Sequence, residues 1–213
     1  MLLAAEDEIG RPAGPGVAGL LLAAGEGSRL GRPKALISVG GRTLVERGID
    51  LLRDGGCDPV IVVTGAVAVS LPGVVVVHNP DWPTGMGSSL RTGLATLPAD
   101  SDAVVVALVD QPLIGAETVS RLISAFRDNP VLIAAGYGGE RRNPVLIPRR
   151  YWADVAAKAE ADLGARGFLQ AHSELITIVE CGDIGRPDDV DTEEDLKRIT
   201  DLIERDGDGQ NPG

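Results

Sequence analysis

Aromatic residues are scarce in this 213-residue chain, which has two each of Phe, Trp and Tyr. Proteins that bind single-stranded nucleic acid stack bases on aromatic side chains, so this scarcity argues against such a platform. Basic residues are also outnumbered, because 20 Lys and Arg stand against 31 Asp and Glu, a net charge of −11. The basic surface that duplex nucleic acid requires is missing, and we expect no nucleic-acid partner.

Cysteine and histidine are equally rare, at two residues each. Cys57 and Cys181 are too few for a disulfide framework or a metal cluster, which is typical of a reduced, cytoplasmic setting. His78 and His172 are far apart in the sequence and belong to no recognisable motif. With no Ser-His-Asp or Cys-His arrangement in the sequence, covalent catalysis is not indicated.

The sequence also has no hydrophobic run that predicts a membrane span. The longest uncharged stretch, residues 59–80, is divided by Thr64-Gly65 and Pro72-Gly73 into two valine-rich segments typical of buried strands. The first residues lack the basic flank of a signal peptide and reach acidic residues after five positions. We therefore expect a soluble chain with no membrane partner.

Glycine, in contrast, is abundant, with 28 residues beside 14 prolines. Such an excess usually lies in loops where the backbone turns sharply or approaches a ligand. The glycine- and proline-rich ends predict a loose leader over residues 1–16 and a disordered tail over residues 206–213. A single domain is expected between them, over residues 17–205.

Within this predicted domain, apolar runs of strand length alternate with amphipathic helical segments. Thr43 and Glu46 predict a capping box at the start of the first helix. The predicted strands are 17–24, 60–63, 74–77, 103–109, 131–135 and 145–147, and the predicted helices are 44–53, 88–97, 119–126, 151–161 and 192–205. This alternation predicts an α/β fold with a mostly parallel sheet covered on both faces, which binds ligands at the carboxyl ends of its strands.

The loop after the first predicted strand, residues 22–34, combines three glycines with three cations. Backbone N–H groups of a glycine turn form a nest for an anion. Arg29, Arg32 and Lys34 would neutralise further phosphate charge. The loop is therefore interpreted as a phosphate-binding loop.

Two better-known loop motifs do not fit this segment. A Walker A motif needs Gly-Lys-Ser/Thr, and here Pro33 precedes Lys34. The dinucleotide fingerprint is G-x-G-x-x-G, whereas Gly25, Gly27 and Gly31 are spaced G-x-G-x-x-x-G. A dinucleotide site and a plain surface turn remain the alternatives to phosphate binding.

Asp110 directly follows the apolar run 103–109 and is the first candidate metal ligand. A carboxylate at the end of a buried strand would lie at the mouth of the site, where Mg²⁺ takes oxygen ligands from protein and phosphates. Since Asp and Pro are common in turns, Asp110-Gln111-Pro112 is also consistent with a turn alone. The acidic stretch 188–195 could supply a second ligand, although its spacing favours helix-dipole stabilisation.

Gly85 and Gly87 lead into a predicted helix that begins with Ser88 and Ser89. The free N–H groups and hydroxyls at such a helix start suit contacts with a base or ribose. Plain N-capping explains either serine equally well.

Several segments together resemble the molybdenum cofactor cytidylyltransferase family, a branch of the glycosyltransferase-A-like nucleotidyltransferases that stands beside the molybdopterin guanylyltransferases. They read Leu-Ala-Ala-Gly-Glu-Gly-Ser-Arg-Leu-Gly-Arg-Pro-Lys at 22–34, Asn-Pro-Asp-Trp at 79–82, Gly-Met-Gly-Ser-Ser-Leu at 85–90, Leu-Val-Asp-Gln-Pro at 108–112 and Asp-Val-Asp-Thr-Glu-Glu-Asp at 189–195. Residues 162–166, Asp-Leu-Gly-Ala-Arg, resemble a further segment of that branch. The resemblance covers residues 17–203 and implies a Rossmann-like three-layer sandwich.

The resemblance also implies a reaction. An acceptor phosphate would attack the α-phosphorus of a nucleoside triphosphate and expel pyrophosphate, with CTP as the favoured nucleotide, molybdopterin as acceptor and molybdenum hydroxylases as recipients of the product. Lys34, Arg29 and Asp110 would be catalytic, and Asp110 with Asp191 rather than Asp189 would hold Mg²⁺, or Mn²⁺ as the alternative. The nucleotide-binding residues implied are Leu22, Ala23, Ala24, Gly25, Gly27, Ser28, Lys34, Gly87, Ser88 and Ser89.

The sequence departs from that branch at Arg142 and Asn143, where many relatives carry Gly-His, and this affects the expected acceptor more than the chemistry. Three alternatives remain. The chain could transfer another nucleotide, such as GTP, to this or another small phosphorylated acceptor. It could be a non-catalytic carrier, or a nicotinamide-dependent oxidoreductase, which the broken dinucleotide fingerprint disfavours.

Overall fold

A seven-stranded sheet is the middle layer of the protein, whose computed structural model describes the backbone of residues 16–208 and the side chains of residues 16–205. The strands are β1 (Val17–Ala23), β2 (Ser38–Val39), β3 (Arg42–Thr43), β4 (Val60–Thr64), β5 (Val75–His78), β6 (Ala103–Leu108), β7 (Leu132–Tyr137), β8 (Glu140–Pro148) and β9 (Ile176–Glu180). The large sheet has the order β5-β4-β1-β6-β8-β7-β9, and β2 pairs with β3 in a separate ribbon. Only β8 runs antiparallel to its neighbours in the large sheet, which confirms the predicted mostly parallel sheet.

Helices cover both faces of this sheet. They are α1 (Leu44–Asp54), α2 (Met86–Thr96), α3 (Ala116–Asp128), α4 (Trp152–Lys158), α5 (Arg166–Ala171) and α6 (Glu193–Asp208). Successive residues of β1 point to opposite faces, so Leu21 packs in a core with α1, α3 and α6, while Leu20 packs in a core with α2, α4 and α5. The result is the three-layer sandwich of the predicted α/β fold.

The start of α1 shows how local sequence sets an element. The Glu46 N–H donates to the Thr43 side chain, and the Thr43 N–H donates to the Glu46 carboxylate, which is the predicted capping box. Val45, Ile49 and Leu52 are buried on one face of the helix, so the expected amphipathic pattern is confirmed.

The predicted helix over residues 151–161 is wrong in its extent. A 3-10 turn occupies Arg149–Tyr151, α4 ends at Lys158, and a second 3-10 turn occupies Ala161–Leu163. The backbone of Ala159 turns to an extended conformation because residues 159–162 lie against the start of α2. Strand β9 had no counterpart in the sequence prediction, since three of its five residues are exposed at the sheet edge and the strand lacks a continuous buried run.

Most of the predicted leader and part of the predicted tail, residues 1–15 and 209–213, lie outside the described residues. Across residues 16–208, each helix is too short or too polar to cross a membrane.

Candidate active site

The candidate site lies at the carboxyl ends of β1 and β6, the edge of the sheet where parallel α/β folds bind ligands. A cavity of about 440 Å³, here called the loop cavity, opens between the glycine loop and the segment after β6. Its wall includes Leu22, Ala24, Gly25, Gly27, Ser28, Arg29, Lys34, Ser89, Asp110 and Asp191. Ala23, Gly87 and Ser88, the other residues of the predicted nucleotide site, do not line this cavity.

The glycine loop takes its shape from one glycine in particular. Gly27 has φ +65°, in the left-handed region, and a Cβ on it would lie 2.2 Å from the carbonyl oxygen of Arg32. Both observations exclude a side chain at this position. Leu30 and Ala35 are buried beyond it and anchor the loop to the core, so residues 25–29 are held at the cavity.

Lys34 joins the two carboxylates that the resemblance implicates in metal binding. Its Nζ donates to Asp110 Oδ2 at 2.7 Å and to Asp191 Oδ1 at 2.6 Å. Arg29 approaches the other oxygen of Asp191 at 3.6 Å. The backbone explains the convergence, because the N–H of the buried Val190 donates to the carbonyl oxygen of Asp110 at 2.9 Å. Residues far apart in the sequence therefore form one charged cluster.

The cluster is electrostatically coupled. Partial burial lowers the pKa of Lys34, but the charges and hydrogen bonds of Asp110 and Asp191 outweigh it, so the net pKa is raised and the lysine stays protonated. Asp110 Oδ1 is buried and has no hydrogen-bond partner within residues 16–208.

An oxygen-binding metal such as Mg²⁺ fits this donor set, since the buried carboxylate oxygen of Asp110 is unpaired and Asp191 adds a second carboxylate. In the part of the chain that the structure describes, no group of three or more His, Cys, Asp or Glu residues could hold a metal ion. Two carboxylates make an incomplete shell, which Mg²⁺ usually completes with substrate phosphates and water.

Asp189 takes a different role from Asp191. Its Oδ1 accepts a hydrogen bond of 2.9 Å from Gln111 Nε2 and does not contact Lys34. The pKa of Asp189 is raised, first because its carboxyl group has lost contact with water and second because the negative charge of Asp110 lies nearby. The residue as a whole remains exposed. Of the two aspartates, Asp191 is thus the one that shares a cation with Asp110.

The acidic stretch before α6 also caps that helix. Thr192 Oγ1 and N–H both donate to Asp195 Oδ2, and the Asp195 N–H donates back to Thr192 Oγ1. The helix-start interpretation therefore holds for residues 192–195, while Asp191 faces the cavity.

Asn79 is a buried residue whose role the motif alone did not reveal. Its Nδ2 donates to Ser88 Oγ at 2.8 Å and to Ser89 Oγ at 3.0 Å, and its Oδ1 accepts from the Asp81 N–H at 3.0 Å. Ser88 Oγ is within hydrogen-bond distance of the Asp81 and Gly85 carbonyl oxygens as well. These contacts pin residues 79–85, which carry Trp82 and Pro83 of the cavity wall.

The glycines at the start of α2, Gly85 at its N-cap and Gly87 in its first turn, are explained by packing. A Cβ on Gly85, whose φ is +108°, would lie 2.4 Å from the backbone of Ala161, and a Cβ on Gly87 would lie 2.7 Å from the backbone of Ala159. The close approach places residues 159–162 beside the loop cavity, which Asp162 helps to line.

A second cavity of about 740 Å³, here called the arginine cavity, adjoins the first and shares Leu22, Met86, Leu108 and Asp162 with it. Arg141, Arg142 and Asn143 from β8 line it together with Arg166 from α5. The Arg141 side chain is held by a 2.9 Å hydrogen bond to the Leu169 carbonyl oxygen, whereas Arg166 makes no side-chain hydrogen bond or ion pair among residues 16–208. Arg141 was missed by sequence reasoning, and Arg166 was noted there only as part of a motif.

Comparison with known proteins places the chain in a family. The model of the MobA-like NTP transferase domain matches residues 19–175. A relative from Paenarthrobacter nicotinovorans named nicotine blue oxidoreductase is 39% identical over 199 residues, covering 87% of this chain and 97% of the relative. A molybdenum cofactor guanylyltransferase from Xanthomonas euvesicatoria is 35% identical over 109 residues, half of this chain and 53% of that protein.

Solved structures agree in fold. A homolog of Mycobacterium tuberculosis Rv0371c, from Mycobacterium sp. strain JC1, is 29% identical with a TM-score of 0.79 and covers 89% of this chain and 97% of its own. Rv0371c itself, crystallised with manganese, is 25% identical with a TM-score of 0.72, and the match covers 87% of this chain and 98% of that one.

Proposed function

The chain belongs to the MobA-like NTP transferase family, and from that premise we propose that it transfers a nucleoside monophosphate from a nucleoside triphosphate to a phosphorylated acceptor, releasing pyrophosphate. The observation that carries the proposal is the cluster of Lys34, Asp110 and Asp191 in the wall of the loop cavity. A protein that only carried a nucleotide or cofactor would have no need to combine two carboxylates with a partly buried cation.

The residues divide the work in the proposed reaction. Backbone N–H groups of the glycine loop hold the triphosphate, with Arg29 and Lys34 on its oxygens. Asp110 and Asp191 hold Mg²⁺, which when bound neutralises charge on the phosphates. Positioning and charge neutralisation dominate phosphoryl transfer, and an ionised acceptor phosphate needs no strong base. A reaction that needs no strong base is consistent with the wall of the loop cavity, which contains no histidine.

The arginine cavity is the proposed acceptor site. It adjoins the loop cavity, so an acceptor bound there would present its phosphate to the α-phosphorus across the shared wall of Leu22, Met86, Leu108 and Asp162. Arg141, Arg142 and Arg166 offer an anionic acceptor guanidinium groups, which bind phosphate in a planar, bidentate geometry. Asp162, Asp188 and Asp189 line the same cavity, so recognition would depend on these individual arginines and not on a net positive charge.

For the substrates we propose CTP and molybdopterin, with molybdenum hydroxylases as recipients. This choice rests on the sequence resemblance and on the similarity to a molybdenum cofactor guanylyltransferase over half of the chain. GTP is the competing nucleotide, because base choice depends on a few contacts worth a couple of kcal/mol each.

A ligand-dependent thermal shift tests the proposal. CTP, GTP, ATP and UTP are added with and without Mg²⁺, and a ligand at about 100 times its Kd should stabilise the protein by roughly 2.7 kcal/mol. We expect the largest Mg²⁺-dependent shift with CTP, followed by pyrophosphate release when molybdopterin is added. The absence of a shift with every triphosphate would refute the proposal. A shift with GTP alone would keep the proposed reaction but make GTP, not CTP, the nucleotide that is transferred.

Matched variants assign the activity to the site. Lys34→Ala and Asp110→Ala should abolish pyrophosphate release while the protein stays folded. Lys197→Ala and Asp128→Ala, at exposed positions on α6 and α3, are the controls and should leave it unchanged. Full activity in Lys34→Ala or Asp110→Ala would show that the active site has been assigned to the wrong residues.

A second candidate function is oxidoreduction, because the relative named nicotine blue oxidoreductase matches over 97% of its length. Adding NADH to the same thermal-shift series, with its fluorescence recorded on mixing, separates the two. Fluorescence enhancement by NADH without a shift from any triphosphate would favour the oxidoreductase.

A further inference from the structure

We infer that Lys34 is the resident cation of the Asp110–Asp191 pair, and that a divalent metal enters this pair only together with a nucleoside triphosphate that draws Lys34 away. The inference rests on the proposed function for the identity of the nucleotide and metal. Its core statement, that Lys34 and a metal ion compete for the same carboxylates, concerns only this chain's own residues.

The ammonium group of Lys34 lies between the two carboxylates. Lys34 Nζ is 2.7 Å from Asp110 Oδ2 and 2.6 Å from Asp191 Oδ1, so one nitrogen uses an oxygen of each carboxylate. The Lys34 side chain is only 17% exposed and that of Asp110 only 20%. A metal ion bound to the same two oxygens would have to occupy the space that this nitrogen fills. An ion bound to the unpaired Asp110 Oδ1 would still find both oxygens of Asp191 paired, one with Lys34 and one with Arg29.

The charges around this pair are nearly balanced before any metal is added. Lys34 and Arg29 offset Asp110 and Asp191, and with the neighbouring Asp189 the five side chains carry a net charge of about −1 without any metal. A divalent ion added beside both cations would give the cluster a net positive charge in a partly buried place, where repulsion is weakly screened. Metal alone is therefore expected to bind poorly.

A bound triphosphate would remove this obstacle. Its phosphates bring negative charge into the loop cavity, whose wall contains both Lys34 and the glycine loop. Lysine has a flexible four-carbon stem, so Nζ can move from the carboxylates to a phosphate oxygen without a change of backbone. Nucleotide and metal should consequently bind with strong positive coupling, and the lysine would be the group that couples them.

The test measures Mn²⁺ binding to the full chain without nucleotide, by the electron paramagnetic resonance signal of free Mn²⁺. Lys34→Gln removes the charge and should bind Mn²⁺ roughly tenfold or more tightly than the wild type. Lys34→Arg keeps the charge and should bind it as weakly as the wild type. Lys197→Gln, which removes an exposed lysine on α6, is the control and should change nothing.

A second measurement locates the ion. Adding Asp110→Asn to Lys34→Gln should abolish the gained Mn²⁺ affinity, and thermal unfolding shows whether each variant is folded. If wild type, Lys34→Gln and Lys34→Arg bind Mn²⁺ equally, the inference is wrong, whatever the nucleotide experiments show. If Lys34→Gln gains affinity but no triphosphate binds any variant, the lysine–metal competition stands and the proposed function fails.

Discussion

Replacing Asn79 with alanine should destabilise the protein by about 3 kcal/mol, since one buried side chain makes three hydrogen bonds and each contributes roughly 1 kcal/mol. Asn79 is 1% exposed, so water cannot readily replace its contacts with Ser88 and Ser89. For a domain of this size the loss corresponds to a fall in Tm of about 6–12 °C.

Differential scanning fluorimetry with a denaturant titration provides the measurement. Asn129→Ala is the matched control, because Asn129 is exposed at the end of α3, and its loss should change Tm by less than about 2 °C. A double-mutant cycle with Ser89→Ala tests the mechanism, since both substitutions remove the same hydrogen bond and should be non-additive by roughly 1 kcal/mol.

A Tm for Asn79→Ala within about 2 °C of the wild type, or an effect that simply added to that of Ser89→Ala, would show that these hydrogen bonds do not stabilise the fold as expected. The outcome also bears on function. Residues 79–85 contribute Trp82, Pro83 and Gly85 to the loop cavity, so a loosened segment should weaken nucleotide binding in a protein that is still folded at low temperature.

Two further predictions concern titratable groups. The Glu180 carboxylate accepts N–H hydrogen bonds from Gly139, Gly138 and Gly182, and these bonds lower its pKa. The contribution of Glu180 to stability is therefore present above the ordinary pKa of about 4.3 and is lost as the pH falls through the lowered pKa. Glu180→Gln should therefore lower Tm at pH 7 and converge with the wild type once the pH falls below the lowered pKa of Glu180, and a pH-independent difference would contradict this account. Burial raises the pKa of Cys57 to about 12 and also raises the pKa of Cys181. Native protein at pH 8 should therefore release no thionitrobenzoate from Ellman's reagent, whereas protein unfolded in guanidinium should release two equivalents. Rapid labelling of the native protein would show that the cores around these thiols open readily.

Sequence reasoning succeeded where the determining interactions are local. The apolar run 17–24 became β1, and the Thr43–Glu46 capping box set the start of α1. It was less successful where a segment's partners lie far along the chain. The helix predicted over residues 151–161 ends early because residues 159–162 pack against Gly85 and Gly87, and no local pattern records that contact.

In the candidate site, too, some residues could be predicted from local sequence, whereas the position of others depends on contacts between distant segments. The glycine loop and the polar ends of apolar strands mark Lys34 and Asp110 as candidates without any coordinates, because strand ends in a parallel sheet share one edge. For Asp191, spacing alone favoured a helix-dipole role, and only the family resemblance pointed to the site. Its side chain proves to lie against Lys34, while the neighbouring residues 192–195 cap α6.

By itself the sequence determined the alternation of strands and helices, the capping of α1 and the turn at Gly27, because burial periodicity and backbone preference act over a few residues. Only the tertiary structure decided that β8 runs antiparallel between β6 and β7 and brings Arg141 and Arg142 to the second cavity. It also decided that one lysine bridges aspartates 76 and 157 residues away. Such distances depend on strand order, register and the connections between layers, which are properties of the packed chain as a whole.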